Sequence, residues 1–313
     1  MAEGLLRRGD RVVGLDNLND YYSPVRKRAN LLEVQSGAPD SFQFVQGDVR
    51  DSGLVNELFA QENFSAVIHL AAMAGVRASL EDPFLYYDVN VIGTLTLLEA
   101  ARTYHPNFVF ASTSSVYGRT DRIPFVEDDV CDRPLAPYSA SKRAAELLCF
   151  SYHHLYRQSA TILRFFSVYG PRGRPDMMAY KVAESTCSGL PVPLYRGGQM
   201  YRDWTYVDDI VQGVVAAADR RLGYEIINLG AGRPVLLADF VAQLETLSGR
   251  KANLETATMP DADIEYTYAD ISKARELLDY EPTMLVDQGV PAFWRWYAGS
   301  AIQEPVVAAG SGV

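Results

Sequence analysis

The chain has few cysteines. Cys131, Cys149 and Cys187 are far apart and form no C-x-x-C pair. That excludes a disulfide framework or a zinc cluster as the organising feature, no metal is expected, and a reducing cytoplasm fits. Long apolar runs are missing as well. Nothing approaches the roughly 18 consecutive apolar residues of a membrane span, and the N-terminus carries no apolar signal-peptide core. Positive charge is scarce: 29 Lys and Arg stand against 39 Asp and Glu, for a net charge of −10. The longest basic run is Arg26-Lys27-Arg28, so nucleic acid is not an expected partner. An anionic ligand would have to be held by a few placed arginines rather than by a general field. Repeats and low-complexity blocks are absent too. What the chain does have is core-forming material. With 313 residues, 48% of them hydrophobic, it can build one large domain or two lobes.

Strands and helices alternate through the first half. Met1–Gly9 reads as the last turns of a helix stopped by Gly9. Arg11–Asp16 is a short strand ending in an acid, and a helix follows a polar loop from about Pro24. Phe42–Asp48 is the next strand, Asp51–Glu62 an amphipathic helix, and Ala66–Ala72 a strand apolar on both faces. Pro83–Tyr104 reads as one long helix. Phe108–Ser112 is a strand, the helix after Ala136 runs to about Tyr156, and Thr161–Phe166 is a further strand. This rhythm predicts an α/β fold with a doubly wound, Rossmann-like parallel sheet over residues 1–170. The rhythm breaks at the loop Pro171–Pro175. Residues 171–305, with helices near 176–188, 208–218, 237–247 and 272–278 and a strand at Tyr224–Leu229, read as a smaller substrate lobe interleaved with the end of the sheet. Val306–Val313 reads as a disordered tail.

Chemistry concentrates around Tyr138 and Lys142, four residues apart near a helix start, hence on one helical face. Alone this spacing is common on surface helices. It gains meaning from the hydroxyl run Ser112-Thr113-Ser114-Ser115 that closes the preceding strand. A free phenol has a pKa of about 10 and is a poor base at neutral pH. A nearby ammonium and a cationic nicotinamide would lower it, and Thr113 can relay a proton between a sugar hydroxyl and Tyr138. Asp16 reads either as an ordinary turn residue or as an acceptor for a dinucleotide ribose, in which case it selects NAD over NADP. Asp48 reads as a helix-start acid or, with Val49, as an adenine contact. Arg174 and Arg202 are either solvated or paired with a diphosphate or carboxylate. His69 reads as a core histidine with a satisfied hydrogen bond, and Tyr21 and Tyr22 as lid aromatics or plain packing.

These residues resemble the extended short-chain dehydrogenase/reductases that act on nucleotide sugars, and within them the UDP-glucuronate 4-epimerases. The resemblance runs from Met1 to about Trp296. It rests on Gly14–Tyr22, His69–Ala72, Ala74–Arg77, Thr113–Gly118, Tyr138 with Lys142, Arg164–Pro171, Gly173–Met177 and Arg202–Asp209. It implies Tyr138 as base, Lys142 as its partner and holder of the nicotinamide ribose, and Thr113 as the third member of the triad. It implies that Asp16, Asn17, Asp48, Val49, Leu70, Ala71, Ala72, Asn90, Ser112 and Phe165 line NAD. Arg77, Ser114, Ser115, Ser167, Arg174 and Arg202 would face the substrate: Arg202 the diphosphate, Ser114 and Ser167 the sugar carboxylate. Relatives also imply a homodimer, paired through the helices near 83–104 and 138–156.

Two related chemistries fit less well. Sugar-nucleotide 4,6-dehydratases place an Asp-Glu pair after the threonine, and UDP-glucuronate decarboxylases a Glu at the Ser115 position; here both positions are serine. The expected activity is therefore NAD-dependent 4-epimerisation of UDP-glucuronate to UDP-galacturonate. UDP-glucose/galactose 4-epimerisation, decarboxylation and non-catalytic nucleotide-sugar binding stand as alternatives. The last arises from one departure: no strand and Gly-rich turn precede the first helix, where the resemblance implies a diphosphate cradle. Met1 reads as an internal start or a truncated gene reading, and the 313-residue chain is expected to retain NAD weakly.

Overall fold

A computed structural model describes residues 1–300; Val306–Val313 lies outside the described residues. The chain opens with α1 (Ala2–Arg7), β1 (Val12–Asp16), α2 (Pro24–Gly37), β2 (Phe42–Gln46), α3 (Ser52–Gln61) and β3 (Ala66–His69). Short helices α4 (Ala78–Glu81) and α5 (Pro83–Tyr87) lead through a π-turn at Asp88–Ile92 into α6 (Gly93–Tyr104). The long helix expected from Pro83 is thus present but carries a wider turn. There Asn90 points its amide at the loop after β3. β3 stops at His69, so Leu70, Ala71 and Ala72 stand in a loop rather than a strand. β4 (Asn107–Thr113), a 3₁₀ turn at Ser114–Tyr117, α7 (Pro137–Tyr156), β5 (Ala160–Phe165) and β6 (Ser167–Tyr169) follow.

In the second half come α8 (Met178–Ser188), β7 (Val192–Tyr195), β8 (Tyr201–Tyr206), α9 (Val207–Asp219), β9 (Tyr224–Leu229) and β10 (Pro234–Leu236). α10 (Leu237–Ser248), β11 (Leu254–Ala257), α11 (Ser272–Leu278) and α12 (Val286–Gly299) complete it. The sequence reading did not include β6, β7, β8, β10, β11 or α12.

The main sheet is parallel with strand order β3-β4-β5-β9. All seven residues of β4 are buried, as a strand covered by helices on both faces requires. β9 comes from the second half of the chain, so the two halves are interleaved in one sheet. β1 and β2 form a separate parallel pair. No ladder among the described residues joins β1 to β3. Leu15 of β1 and Val67 of β3 nevertheless pack on one cluster with Phe59, Leu98, Phe108 and Ile162. The β1–β2 pair and the four-stranded sheet therefore share a helix layer but not a hydrogen-bonded backbone. A second cluster, built on Tyr169, Tyr180, Trp204, Phe240 and Phe293, forms the core of the other half.

Candidate active site

β4 delivers the hydroxyl run. Buried Phe108, Val109 and Phe110 anchor the strand, and it ends at Thr113 where the chain turns. The Thr113 hydroxyl accepts from the Ser115 amide at 3.1 Å and donates to the Ser115 hydroxyl at 3.2 Å. Gly118 then closes the turn at φ 55°. A Cβ there would lie 2.0 Å from the Arg133 carbonyl oxygen, so only glycine fits without displacing backbone. The helix start is equally determined. Pro137 occupies a first-turn position and the Ser139 hydroxyl bonds the Ala136 backbone, which fixes Tyr138 at the mouth of α7.

Tyr138 and Thr113 meet. The phenol stands near enough to the Thr113 hydroxyl for that group to favour its ionised form. Desolvation raises its pKa, while the Arg174 guanidinium and the Thr113 hydroxyl oppose that rise. The Tyr86 ring stands edge-on to it at 6.2 Å. Lys142 behaves differently from expectation. Its stem runs inward, its ammonium sits 4.2 Å over the Phe110 ring, and the charges acting on it are Cys149 and Glu146. Burial lowers its pKa to about 7. Sharing a helix face with Tyr138 does not pair the two groups, because the long lysine stem turns toward the sheet. Arg174, not Lys142, is the cation acting on the phenol. It is held by two bonds to Asp176, at 2.9 and 3.1 Å, and stands 5.9 Å from the Tyr21 ring. Tyr21 in turn donates to Asp176 at 3.4 Å, which makes this aromatic part of the site rather than distant packing.

A second group of residues gathers on the side of β8. Arg77 pairs with Asp263 at 2.9 Å and lies 4.4 Å over the Tyr195 ring. Arg202 donates to the Tyr201 and Glu265 carbonyls, both at 2.9 Å. Burial lowers its pKa, and the Asp263 carboxylate works against that. A 720 Å³ cleft lined by Arg196, Asp263 and Glu265, with Arg119 and Leu135, opens beside this pair; Tyr138 is not among its lining residues.

The residues expected to hold a dinucleotide are partly committed inside the protein. Asp48 is clasped by Arg50 and Asn17, which hold its carboxyl well below the usual range. Val49 is buried against α3 and α6. Asn90 spends its amide on the Met73 backbone and Ser141, and the Ser112 hydroxyl is given to Glu146. Asp16 accepts one bond, from the Leu18 amide at 2.7 Å, at the open end of β1. Its second carboxylate oxygen fits a ribose hydroxyl. Leu70 is exposed, Ala71 and Ala72 are half-buried, and Phe165 closes β5 beside Thr113 in the register. These apolar residues and the Thr113 hydroxyl beside Phe165 fit the nicotinamide half of NAD. Ser167 opens β6 opposite Trp204. His69 bonds Thr94 at 3.0 Å and burial lowers its pKa to about 3, so it is a neutral core residue, as read from the sequence.

The family described as NAD dependent epimerase/dehydratase matches residues 1–230. The chain belongs to this family. The chain is 43% identical over 298 residues to a UDP-glucuronate 4-epimerase of Thermodesulfobacterium geofontis, covering 95% of the chain and 91% of that relative. It is 41% identical to UDP-glucuronate 4-epimerase 3 of Arabidopsis thaliana, over 96% of the chain and 73% of that protein. Among solved structures it resembles the Bacillus cereus UDP-glucuronic acid 4-epimerase in complex with UDP-glucuronic acid and NAD. There the TM-score is 0.88 at 33% identity, over 95% and 94% of the two chains. The extended short-chain dehydrogenase/reductase resemblance and the Rossmann-like α/β fold are thereby established for the chain.

Sequence reasoning missed Glu146, Asp263 and the part played by Asp176. Asp176 carried a local signal through its two-residue spacing from Arg174, and Glu146 one through its three-residue spacing from Arg143. The bonds of Glu146 to Arg164 and Ser112, and of Asp263 to Arg77, are tertiary contacts that spacing does not reveal.

Proposed function

We propose that this chain interconverts UDP-glucuronate and UDP-galacturonate by epimerisation at C4, with NAD as cofactor. The observation that carries the reading is the placing of the Tyr138 phenol beside the Thr113 hydroxyl, with the Arg174 charge acting on it and with Ser114 and Ser115 following without an acid. When bound, NAD supplies the hydride acceptor and donor at C4. Asp16 would hold its adenosine ribose, and Lys142 and Phe165 its nicotinamide end. Tyr138 takes the O4 proton directly or through Thr113 as C4 is oxidised, and returns it when the opposite face is reduced. Arg174 stabilises the phenolate between these events. Arg202 and Arg77 would grip the diphosphate, leaving the hexose free to turn over between the two hydride transfers.

The 4-keto glucuronate is a β-keto acid and loses CO₂ readily. Neutral donors such as Ser114 and Ser167 would hold the carboxylate and slow that loss. Incubating the protein with UDP-glucuronate and NAD should yield UDP-galacturonate; a UDP-pentose as the main product would overturn the epimerase reading. A hexose substrate is the specific alternative, since the UDP-glucose 4-epimerase of Thermotoga maritima also matches at TM-score 0.85 and 26% identity. Turnover of UDP-glucose above that of UDP-glucuronate would favour it. We also propose a homodimer through the outer faces of α5, α6 and α7.

A further inference from the structure

Glu146 lies one turn beyond Lys142 on α7 and is fully buried. Its carboxylate accepts from Arg164 on β5 at 3.1 and 2.9 Å and also from the Ser112 hydroxyl on β4. Arg143, on its own helix, adds a bond at 2.9 Å. Arg164 is itself fully buried, stands 4.8 Å from the Tyr117 ring and leaves Nη1 without a partner. Tyr117 closes the 3₁₀ turn that begins at Ser114, and its hydroxyl is pinned to Asn228 at 2.7 Å. One acid thus joins the segments that carry the chemistry. Ser112 precedes Thr113, Arg164 precedes Phe165, and Glu146 follows Lys142.

A buried ion pair is a poor way to gain stability. Desolvating both charges offsets most of their attraction, and apolar replacements of similar volume are often as stable. Here one guanidinium nitrogen is also left unsatisfied, which costs more. What such a pair supplies is geometry, because a bidentate Arg–carboxylate bond fixes distance and plane together. We propose that Glu146 and Arg164 are positioning residues for the epimerase reaction, holding the Thr113 turn, the Tyr138–Lys142 helix and the Phe165 strand end in catalytic register. This rests on the function proposed above.

Glu146→Gln and Arg164→Lys test it, with Arg143→Ala as the local control. Arg164→Lys keeps the charge and loses the bidentate geometry. Misplacement by about 1 Å can cost about 100-fold, so kcat should fall about 10- to 100-fold in both clamp variants. KM and UDP affinity should stay within about twofold of the parent, and Arg143→Ala should keep its kcat within about twofold. Amide hydrogen exchange should quicken at 110–118 and 137–146 but not in β8, a readout that needs no turnover. A parental kcat in Arg164→Lys would overturn the proposal. So would exchange that quickens uniformly while kcat tracks thermal stability alone. Should Glu146→Gln fail to fold, Arg164→Lys decides. If the parent itself does not turn over UDP-glucuronate, the functional reading fails, and the exchange pattern still judges the clamp.

Discussion

Tyr138 and Lys142 differ in what their surroundings do to them. The phenol is desolvated but has a hydroxyl and a guanidinium to share the charge it would carry. Removing its oxygen by Tyr138→Phe should lower kcat by about three orders of magnitude while UDP-sugar binding, followed by calorimetry, stays near parental. Near-normal turnover would take Tyr138 out of the chemistry. Among the described residues Lys142 has no carboxylate bond, and burial lowers its pKa from 10.5 to about 7. Because the folded pKa lies below the unfolded one, the unfolded chain binds more protons between those values, and stability rises with pH across that window. The ammonium's penalty is complete below about pH 7. Lys142→Met should therefore raise the melting temperature of the chain without added NAD by about 2–4 °C at pH 6. The gain should shrink as pH climbs from 7 toward 10.5. A constant gain from pH 6 to 10 would show that packing, not charge, is responsible.

The turn at Ser114–Tyr117 works as an element because Gly118 lets the chain leave it. A Cβ would meet backbone, not a yielding side chain, so Gly118→Ala should destabilise the fold by about 2 kcal/mol, with strain and overpacking adding. Denaturant unfolding measures this, and a loss below about 0.5 kcal/mol would mean that the Arg133 loop moves aside. Legibility at this scale followed local signals. The strands at 12–16, 42–46, 66–69 and 107–113 showed in sequence because apolar runs and strand-end acids mark them. β6, β7 and β10 are three or four residues long and take their form from partners distant in sequence. α12 was hidden by Gly289 and Pro291, two residues that disfavour a helix interior. It forms because Val290, Phe293 and Tyr297 are buried against α8 and α10, tertiary packing overriding propensity. The hydroxyl run and Tyr138 of the proposed site were legible for a related reason: a strand end and a helix start fix them locally. The direction of Lys142 was not, since spacing gives a side chain's face but not where a flexible stem ends.

At the scale of the molecule, the outer faces of α5 and α7 stay apolar in the single chain. Phe84, Tyr87, Leu147 and Phe150 are exposed, Phe84 to 87%. Leu147 and Phe150 lie three residues apart on one helical face. Size-exclusion chromatography with light scattering should find a dimer, and Leu147→Glu with Phe150→Glu should convert it to monomer; a parent that elutes as a monomer would refute this. The bipartite parallel sheet has a consequence of another kind. Among the described residues, the sides of β1 and β3 away from their ladders meet no strand. Val12, Val13, Val67 and Ile68 there are only half-buried. Unpaired amides and carbonyls on apolar strands are adhesive toward any extended peptide. These sides of β1 and β3, like the outer sides of β2 and β9, are therefore stretches where an extended peptide can add by backbone pairing.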